Sequence, residues 1–197
     1  MKMDYVKLKR LFDIILSIIL IILLFPFFVF LIILNFLLLK KNPLFIQSRS
    51  GINGKSIKII KIKTLNDNLN LDIKARSYLF GKFLRKFKLD EFPQLINVLF
   101  GDMSIVGPRP LYLEYNKNYN NFQKQRLLVK PGITGLAQIK VLNSGNWKNK
   151  FKFDVWYVKN ISFKLDVYII FKTIILLINI LLLKKRFIED HKFKDVD

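Results

Sequence analysis

Two adjacent acids, Asp90 and Glu91, stand in a chain of 197 residues whose formal net charge is +20. They open the run Leu89-Asp90-Glu91-Phe92-Pro93-Gln94-Leu95-Ile96-Asn97-Val98-Leu99-Phe100-Gly101-Asp102, and Gly107-Pro108-Arg109-Pro110 follows shortly after. Neighbouring carboxylates repel each other, and apolar surroundings raise the cost of ionising both, so a cation or metal beside them would relieve that cost. An ionised carboxylate can also attack phosphorus without a separate base. Arg85 lies five residues upstream and Arg109 sits in a proline-stiffened turn. Both carry the planar fork that grips phosphate oxygens in pairs. Phosphate or metal chemistry is therefore the expectation for this segment. Taken without other information, an Asp-Glu pair is also what the positive end of a helix attracts.

The elements that must position these residues begin with a membrane segment. Ile14 to Leu39 contains no charged side chain. As a straight helix it would reach about 39 Å, beyond the roughly 30 Å hydrocarbon core of a bilayer. Lys2, Lys7, Lys9 and Arg10 precede it, and Lys40 and Lys41 follow. Basic residues favour the cytoplasmic side, so a single crossing leaves one cluster on the wrong face. Pro26 lies near the middle, where it removes a backbone donor. Two arrangements follow: a kinked spanning helix, or a helix broken at Pro26 that enters and leaves through the same leaflet.

Beyond Pro43 the pattern turns to strands. Leu44 to Arg49 and Ile57 to Lys63 flank Gly51 and Asn53-Gly54, a hairpin signal. Alternation places Lys61 and Lys63 on one face, for which a solvated strand surface is the plain explanation. Ile73 to Lys88 has helical spacing, and the helix continues or restarts at Asp90, with Pro93 in a first turn there and Gly101 at its stop. Glu114 to Leu128 reads as a polar helix, Lys130 to Gly135 as a rigid loop, and Trp147 to Lys159 as an aromatic helix. Val167 to Leu183 is apolar but interrupted by Lys172, Thr173 and Asn179, which suits an interfacial helix ending at Lys184-Lys185-Arg186. The charged tail carries the single histidine, His191, for which no role is expected.

The fold class expected is α+β and mostly helical. A membrane-embedded, re-entrant N-terminal helix would occupy residues 1–41, a cytoplasmic catalytic domain containing a β-hairpin 42–186, and a charged tail 187–197. The chain has no cysteine, which excludes disulfides and thiolate metal sites. Its basic excess points to an anionic partner, while 52% hydrophobic residues argue against a free nucleic-acid binder.

Four stretches resemble the bacterial sugar transferase family, the polyprenyl-phosphate sugar-1-phosphate transferases, and above all its small monotopic type, which includes the undecaprenyl-phosphate diacetylbacillosamine phosphate transferases. They are Phe45 to Gly51 with Lys61-Ile62-Lys63-Thr64, Leu89 to Pro110, Lys130 to Gln138, and Phe153 to Asn160. The resemblance implies transfer of a sugar 1-phosphate from a UDP-sugar to undecaprenyl phosphate, releasing UMP at the cytoplasmic face of the bacterial inner membrane. It implies Asp90 as nucleophile, Glu91 as partner in holding Mg²⁺, and Arg85, Arg109, Arg49, Lys61 and Lys63 as phosphate or headgroup contacts. Gln138, Asp154, Tyr157 and Asp166 fall on family motifs, with structural hydrogen bonding equally open to each. Membrane lipids and downstream glycosyltransferases are the further partners it suggests, and no nucleic acid. Two departures stand out. Phe25-Pro26 occurs where small members carry Ser-Pro, so a membrane break would rest on Pro26 alone. Ile139-Lys140-Val141-Leu142-Asn143 lacks an arginine that the family usually carries, which leaves the sugar open.

Overall fold

The computed structural model describes residues 2–67, 72–141 and 146–183. Its dominant element is α1 (Lys2–Leu39), a single helix with Pro26 inside it. Of the two arrangements open at Pro26, a kink or a break, the helix shows no break: the missing N–H removes one donor from the ladder without ending it. One stripe of α1 is covered along its length: Lys9, Asp13, Ser17, Phe28, Leu31 and Asn35 are buried. Leu16, Leu20, Ile21 and Leu24 fill the interval. Steps of three and four residues keep these on one face of a helix. From Leu11 to Leu38 the opposite face, including Ile15, Ile22, Leu23, Phe30 and Leu37, is exposed although wholly apolar.

Polar side chains fasten both halves of α1 to the same body. Near its start, Arg10 donates to the carbonyls of Val98 and Leu99 at 2.5 and 2.8 Å, and Asp13 accepts from Ile105 N–H at 3.0 Å. Near its end, Asn35 donates to the carbonyls of Lys63 (3.0 Å) and Pro43 (3.3 Å) and accepts from the Tyr78 hydroxyl. Between them Phe28 stacks on Phe92 with ring centres 3.5 Å apart.

Strands β1 (Leu44–Ser50) and β2 (Ser56–Ile62) form the expected antiparallel hairpin, with Gln47 opposite Ile59 and Phe45 opposite Lys61. Asn53 and Gly54 take positive φ at its turn, as that dipeptide allows. The helix expected over 73–88 is divided into α2 (Ile73–Arg76) and α3 (Leu79–Lys86), because Ser77 leaves the helix to bridge Leu65. A turn of 3₁₀ helix, Leu89–Glu91, then leads through Phe92-Pro93 into α4 (Gln94–Phe100), which Gly101 ends at φ 93°. The rigid loop expected at 130–135 contains strand β4 (Gly132–Thr134), parallel to β3 (Ser104–Val106). Short runs with no alternation to read hid both strands.

The polar helix expected over 114–128 is three short pieces: 3₁₀ turns at Leu113–Asn118 and Gln125–Leu128 around α5 (Asn121–Lys124), which opens with a capping box from Asn120 and Gln123. Then follow α6 (Leu136–Lys140), α7 (Trp147–Lys159) and α8 (Phe163–Leu183). Helix α8 buries Asp166, Ile169 and Ile180 and exposes Phe163, Val167, Phe171, Ile174, Ile178 and Leu182. The main core joins α1, β2, α4, β3, α6, α7 and α8 around Val98, Met103, Val106, Tyr157 and Ile169. Residues 187–197, including His191, and Leu142 and Asn143 lie outside the described residues.

Candidate active site

The two acids sit at the turn between α3 and α4. Lys88 takes a left-handed backbone conformation (φ 59°, ψ 19°), uncommon for a residue with a side chain and worth about 1–3 kcal/mol of strain. It reverses the chain so that the Leu89–Glu91 turn presses both carboxylates inward: Asp90 is 8% exposed and Glu91 6%. Asn97 holds this turn's following helix against the hairpin, donating to the Lys58 carbonyl at 2.7 Å and accepting from Ile60 N–H at 3.2 Å. That contact sets β2 beside the acids, with Lys61 facing them.

Glu91 is saturated with cations. Arg109 grips it with two N–H groups, at 2.7 Å to Oε1 and 3.2 Å to Oε2, and Lys61 Nζ lies 3.2 Å from Oε1. Burial works to raise its pKa, but Arg109, Lys61 and Lys88 outweigh burial and hold Glu91 well below the usual carboxylate range. Asp90 differs. Its Oδ1 is buried with no hydrogen-bond partner. Burial first, then the charge of Glu91, push its pKa up against the pull of Lys61, Lys88 and Arg109. One carboxylate is thus clamped and fixed in charge, while its neighbour keeps an open oxygen. A buried acceptor without a partner is costly, so it marks a place where a substrate group or ion completes the site.

Around this pair the sequence-derived candidates divide. Lys61 and Arg109 join the acids directly. Arg49 lies behind them, its guanidinium 3.6 Å from the Tyr112 ring centre and hydrogen-bonded to Gln47. Burial lowers its pKa, and Arg109 and Glu91 both act on it across the site. Lys63 points elsewhere and pairs with Asp67 at 3.1 Å. Arg85 donates to Thr64 Oγ1 at 2.7 Å. Gln138 donates to the Ile133 carbonyl at 2.9 Å, leaving its buried Oε1 unpartnered. Asp154 is buried against Arg126 at 2.9 Å. Tyr157 donates to Asp166 Oδ1 at 2.7 Å, while Lys9 and Tyr5 reach Asp166 Oδ2 at 2.5 and 2.6 Å. That last group ties α1, α7 and α8 together. Pro26 lies in α1 on an exposed face.

Two residues escaped the sequence reading. Lys88 is drawn into the charge cluster, where burial and Arg109 lower its pKa; a lysine before an apolar residue looks like any helix-end cation. Arg126 was hidden inside an apparently polar helix, and only its burial sets it apart.

A model of the bacterial sugar transferase family matches residues 4–179. The chain belongs to that family. Among its relatives is a protein named as an uncharacterized sugar transferase, EpsL of Bacillus subtilis, 42% identical over 172 residues and covering 85% of each chain. The UDP-glucose:undecaprenyl-phosphate glucose-1-phosphate transferase of Klebsiella pneumoniae is 39% identical over 181 residues, covering 84% of this chain and 39% of that one. ExoY of Sinorhizobium fredii, an exopolysaccharide production protein, is 33% identical over 188 residues, covering 84% and 83%. This sugar transferase therefore spans most of the short relatives and about two fifths of the long ones.

Mg²⁺ is the cofactor that the resemblance implies for this site. Mg²⁺ prefers oxygen and is commonly held by one or two carboxylates plus substrate phosphates. Among the described residues no third acid or histidine joins Asp90 and Glu91 into a larger ligand set. The open Oδ1 of Asp90 fits such a minimal site. Glu91 enters it already engaged by two cations.

Proposed function

We propose that the chain transfers a sugar 1-phosphate from a UDP-sugar to undecaprenyl phosphate, releasing UMP. The observation that carries this is the pairing of a buried, unpartnered Asp90 oxygen with three cations, Lys61, Lys88 and Arg109, acting on it. Two carboxylates against three cations leave the site positive, which favours a diphosphate. Relatives named for UDP-sugar and undecaprenyl-phosphate substrates support the same chemistry. Their names differ in the sugar, and the sugar of this chain stays open.

In the first step a carboxylate oxygen of Asp90 bonds to the sugar-bearing phosphorus, and the bond from that phosphorus to the UMP oxygen breaks. UMP leaves with the electron pair, and an aspartyl-phosphosugar remains. In the second step an oxygen of the lipid phosphate attacks the same phosphorus and the acyl phosphate bond breaks, restoring the carboxylate. No proton need move in either step, so the site requires no histidine. Lys61, Lys88 and Arg109 offset charge on the transferring and departing phosphates. Mg²⁺ bound at Asp90, beside Glu91, would supply further neutralisation of the diphosphate.

The acceptor is a lipid, and the exposed apolar faces of α1 and α8 supply a surface that meets one. Both halves of α1 are fastened to the body that carries Asp90, which supports an anchor that meets one leaflet over a crossing one. The placement we propose is the cytoplasmic face of the inner membrane, among anionic lipids and the glycosyltransferases that extend the product. Membranes containing the protein, incubated with UDP-sugars, Mg²⁺ and undecaprenyl phosphate, should release UMP. Asp90→Asn should lower that release by a thousandfold or more. Full turnover by Asp90→Asn would overturn the nucleophile assignment. Salt-sensitive lipid binding without UMP release from any nucleotide sugar would favour a non-catalytic membrane protein instead.

A further inference from the structure

Arg126 is 3% exposed and lies in the 3₁₀ turn Gln125–Leu128. Its guanidinium has three engagements. Asp154 Oδ2 accepts from Nε and lies 2.9 Å from both Nε and Nη2. Nη2 donates to the Arg109 main-chain carbonyl at 2.7 Å, and Nη1 lies 3.4 Å from the Tyr119 hydroxyl. The rings of Tyr119 and Phe151 lie about it, with centres 6.0 and 5.7 Å away.

The carbonyl it reaches belongs to the residue that clamps Glu91. Gly107-Pro108-Arg109-Pro110 has two prolines without N–H groups and belongs to no strand, so it cannot hold itself by a ladder. It is pinned from outside instead. Gly107 N–H donates to the Thr134 carbonyl at 2.9 Å, Gly132 N–H donates to the Pro108 carbonyl at 3.0 Å, and Arg126 takes the Arg109 carbonyl. Gly107 and Gly132 pack backbone to backbone, where an added Cβ would meet main-chain atoms at 2.5 and 2.0 Å. Both pins on the Gly107–Pro108 side are therefore rigid. The Arg126 bond is the pin at Arg109 itself.

The two arginines divide the work by exposure. The Arg109 side chain is 29% exposed and faces the carboxylates, whereas that of Arg126 is 2% exposed and faces Asp154. A guanidinium as deeply buried as that of Arg126 needs its counter-ion, and removing either partner leaves an uncompensated charge. We infer that Arg126, held by Asp154, is a positioning residue for this reaction: it fixes the backbone of Arg109 so that the Arg109 fork stays in register on Glu91 and the departing phosphate. This rests on the proposed transfer only for its kinetic consequence. Asp154, on α7, thereby acts on the site through two intermediaries and without touching substrate.

A double-mutant cycle with two readouts tests it. Arg126→Lys keeps a charge beside Asp154 but loses the fork that spans Asp154 and the Arg109 carbonyl. It should lower kcat for UMP release tenfold or more while the nucleotide-sugar KM changes less than threefold. In an Arg109→Met background the same substitution should lower kcat less than twofold, because the group it positions is gone. Equal loss in both backgrounds would overturn the inference, as would full turnover by Arg126→Lys. With the Gly107 amide, held by Thr134, as internal reference, hydrogen exchange at the Arg109 amide is followed in the same proteins and should speed up in Arg126→Lys and in Asp154→Asn. Unchanged exchange there would also overturn it, whether or not UMP is released. A wild-type protein that releases no UMP would count against the proposed function and leave the exchange result standing. Should Asp154→Asn fail to fold, Arg126→Lys alone decides.

Discussion

Lys61 and Lys63 are two residues apart on one strand and looked equivalent, yet they occupy different environments. Lys61 closes on Glu91 at 3.2 Å, while Lys63 pairs with Asp67. Lys61→Met should lower UMP release tenfold or more, since it removes a cation from a buried anionic pair. Lys63→Met should change it less than threefold, since its partner Asp67 is itself half-exposed and stands apart from the two acids. Initial-rate measurements on both variants check this, and comparable losses would show that Lys63 reaches substrate. Lys88 belongs with Lys61, and Lys88→Met should behave like it. Arg109→Lys keeps the charge but not the paired geometry on Glu91, and we expect at least a tenfold loss in kcat/KM.

Individual elements depend on single polar pins in apolar surroundings. Asn35 is fully buried in an otherwise apolar half-helix, and it satisfies the Lys63 and Pro43 carbonyls and the Tyr78 hydroxyl. Asn35→Leu leaves buried groups without partners and should cost about 1–3 kcal/mol, read as a lowered melting temperature in detergent. Tyr78 answers to pH. Burial pushes its pKa up to about 12 from 10. The folded state therefore holds this proton more tightly than the unfolded chain. Its contribution is present in full below pH about 10 and is lost as pH rises towards about 12. Tyr78→Phe should flatten that alkaline decline in stability, measured by circular dichroism across pH 9 to 12. A decline of unchanged steepness would assign it to other groups.

At the level of the whole molecule, the arrangement of α1 decides how the protein meets the bilayer. Its N-terminal half is tied to α4 and β3 and its C-terminal half to the hairpin and α3. A helix so held along one body cannot carry its two ends to opposite sides of a bilayer unless that body enters the lipid as well. Cysteines placed at Lys2 and Lys41, in a chain that has none, should both react with an impermeant maleimide from the cytoplasmic side only. Labelling of one position from each side would establish a spanning helix. Substituting Phe171 and Ile178 on the exposed face of α8 by aspartate should weaken membrane retention without unfolding, because neither side chain enters the core.

Whereas the grip of Arg109 on Glu91 came from the fold, the sequence by itself determined the apolar anchor, the hairpin, α4 with its glycine stop, α7, and the adjacency of Asp90 and Glu91. Each is written in local terms: hydrophobic length, an Asn-Gly turn, 3.6-residue spacing, or adjacency along a few residues. The tertiary structure decided what local patterns do not encode. It split the helices expected over 73–88 and 114–128, where a strand bridge at Ser77 and the extended, capping Asn120 interrupt them. It paired the short strands β3 and β4 across 25 residues of chain. Above all, it separated charges that composition could not distinguish. Which cation meets which carboxylate depends on burial and long-range packing, and a buried charge needs a partner far more than a solvated one does. For that reason Lys88 and Arg126 emerged only in three dimensions, whereas Asp90 and Glu91 were visible from the outset.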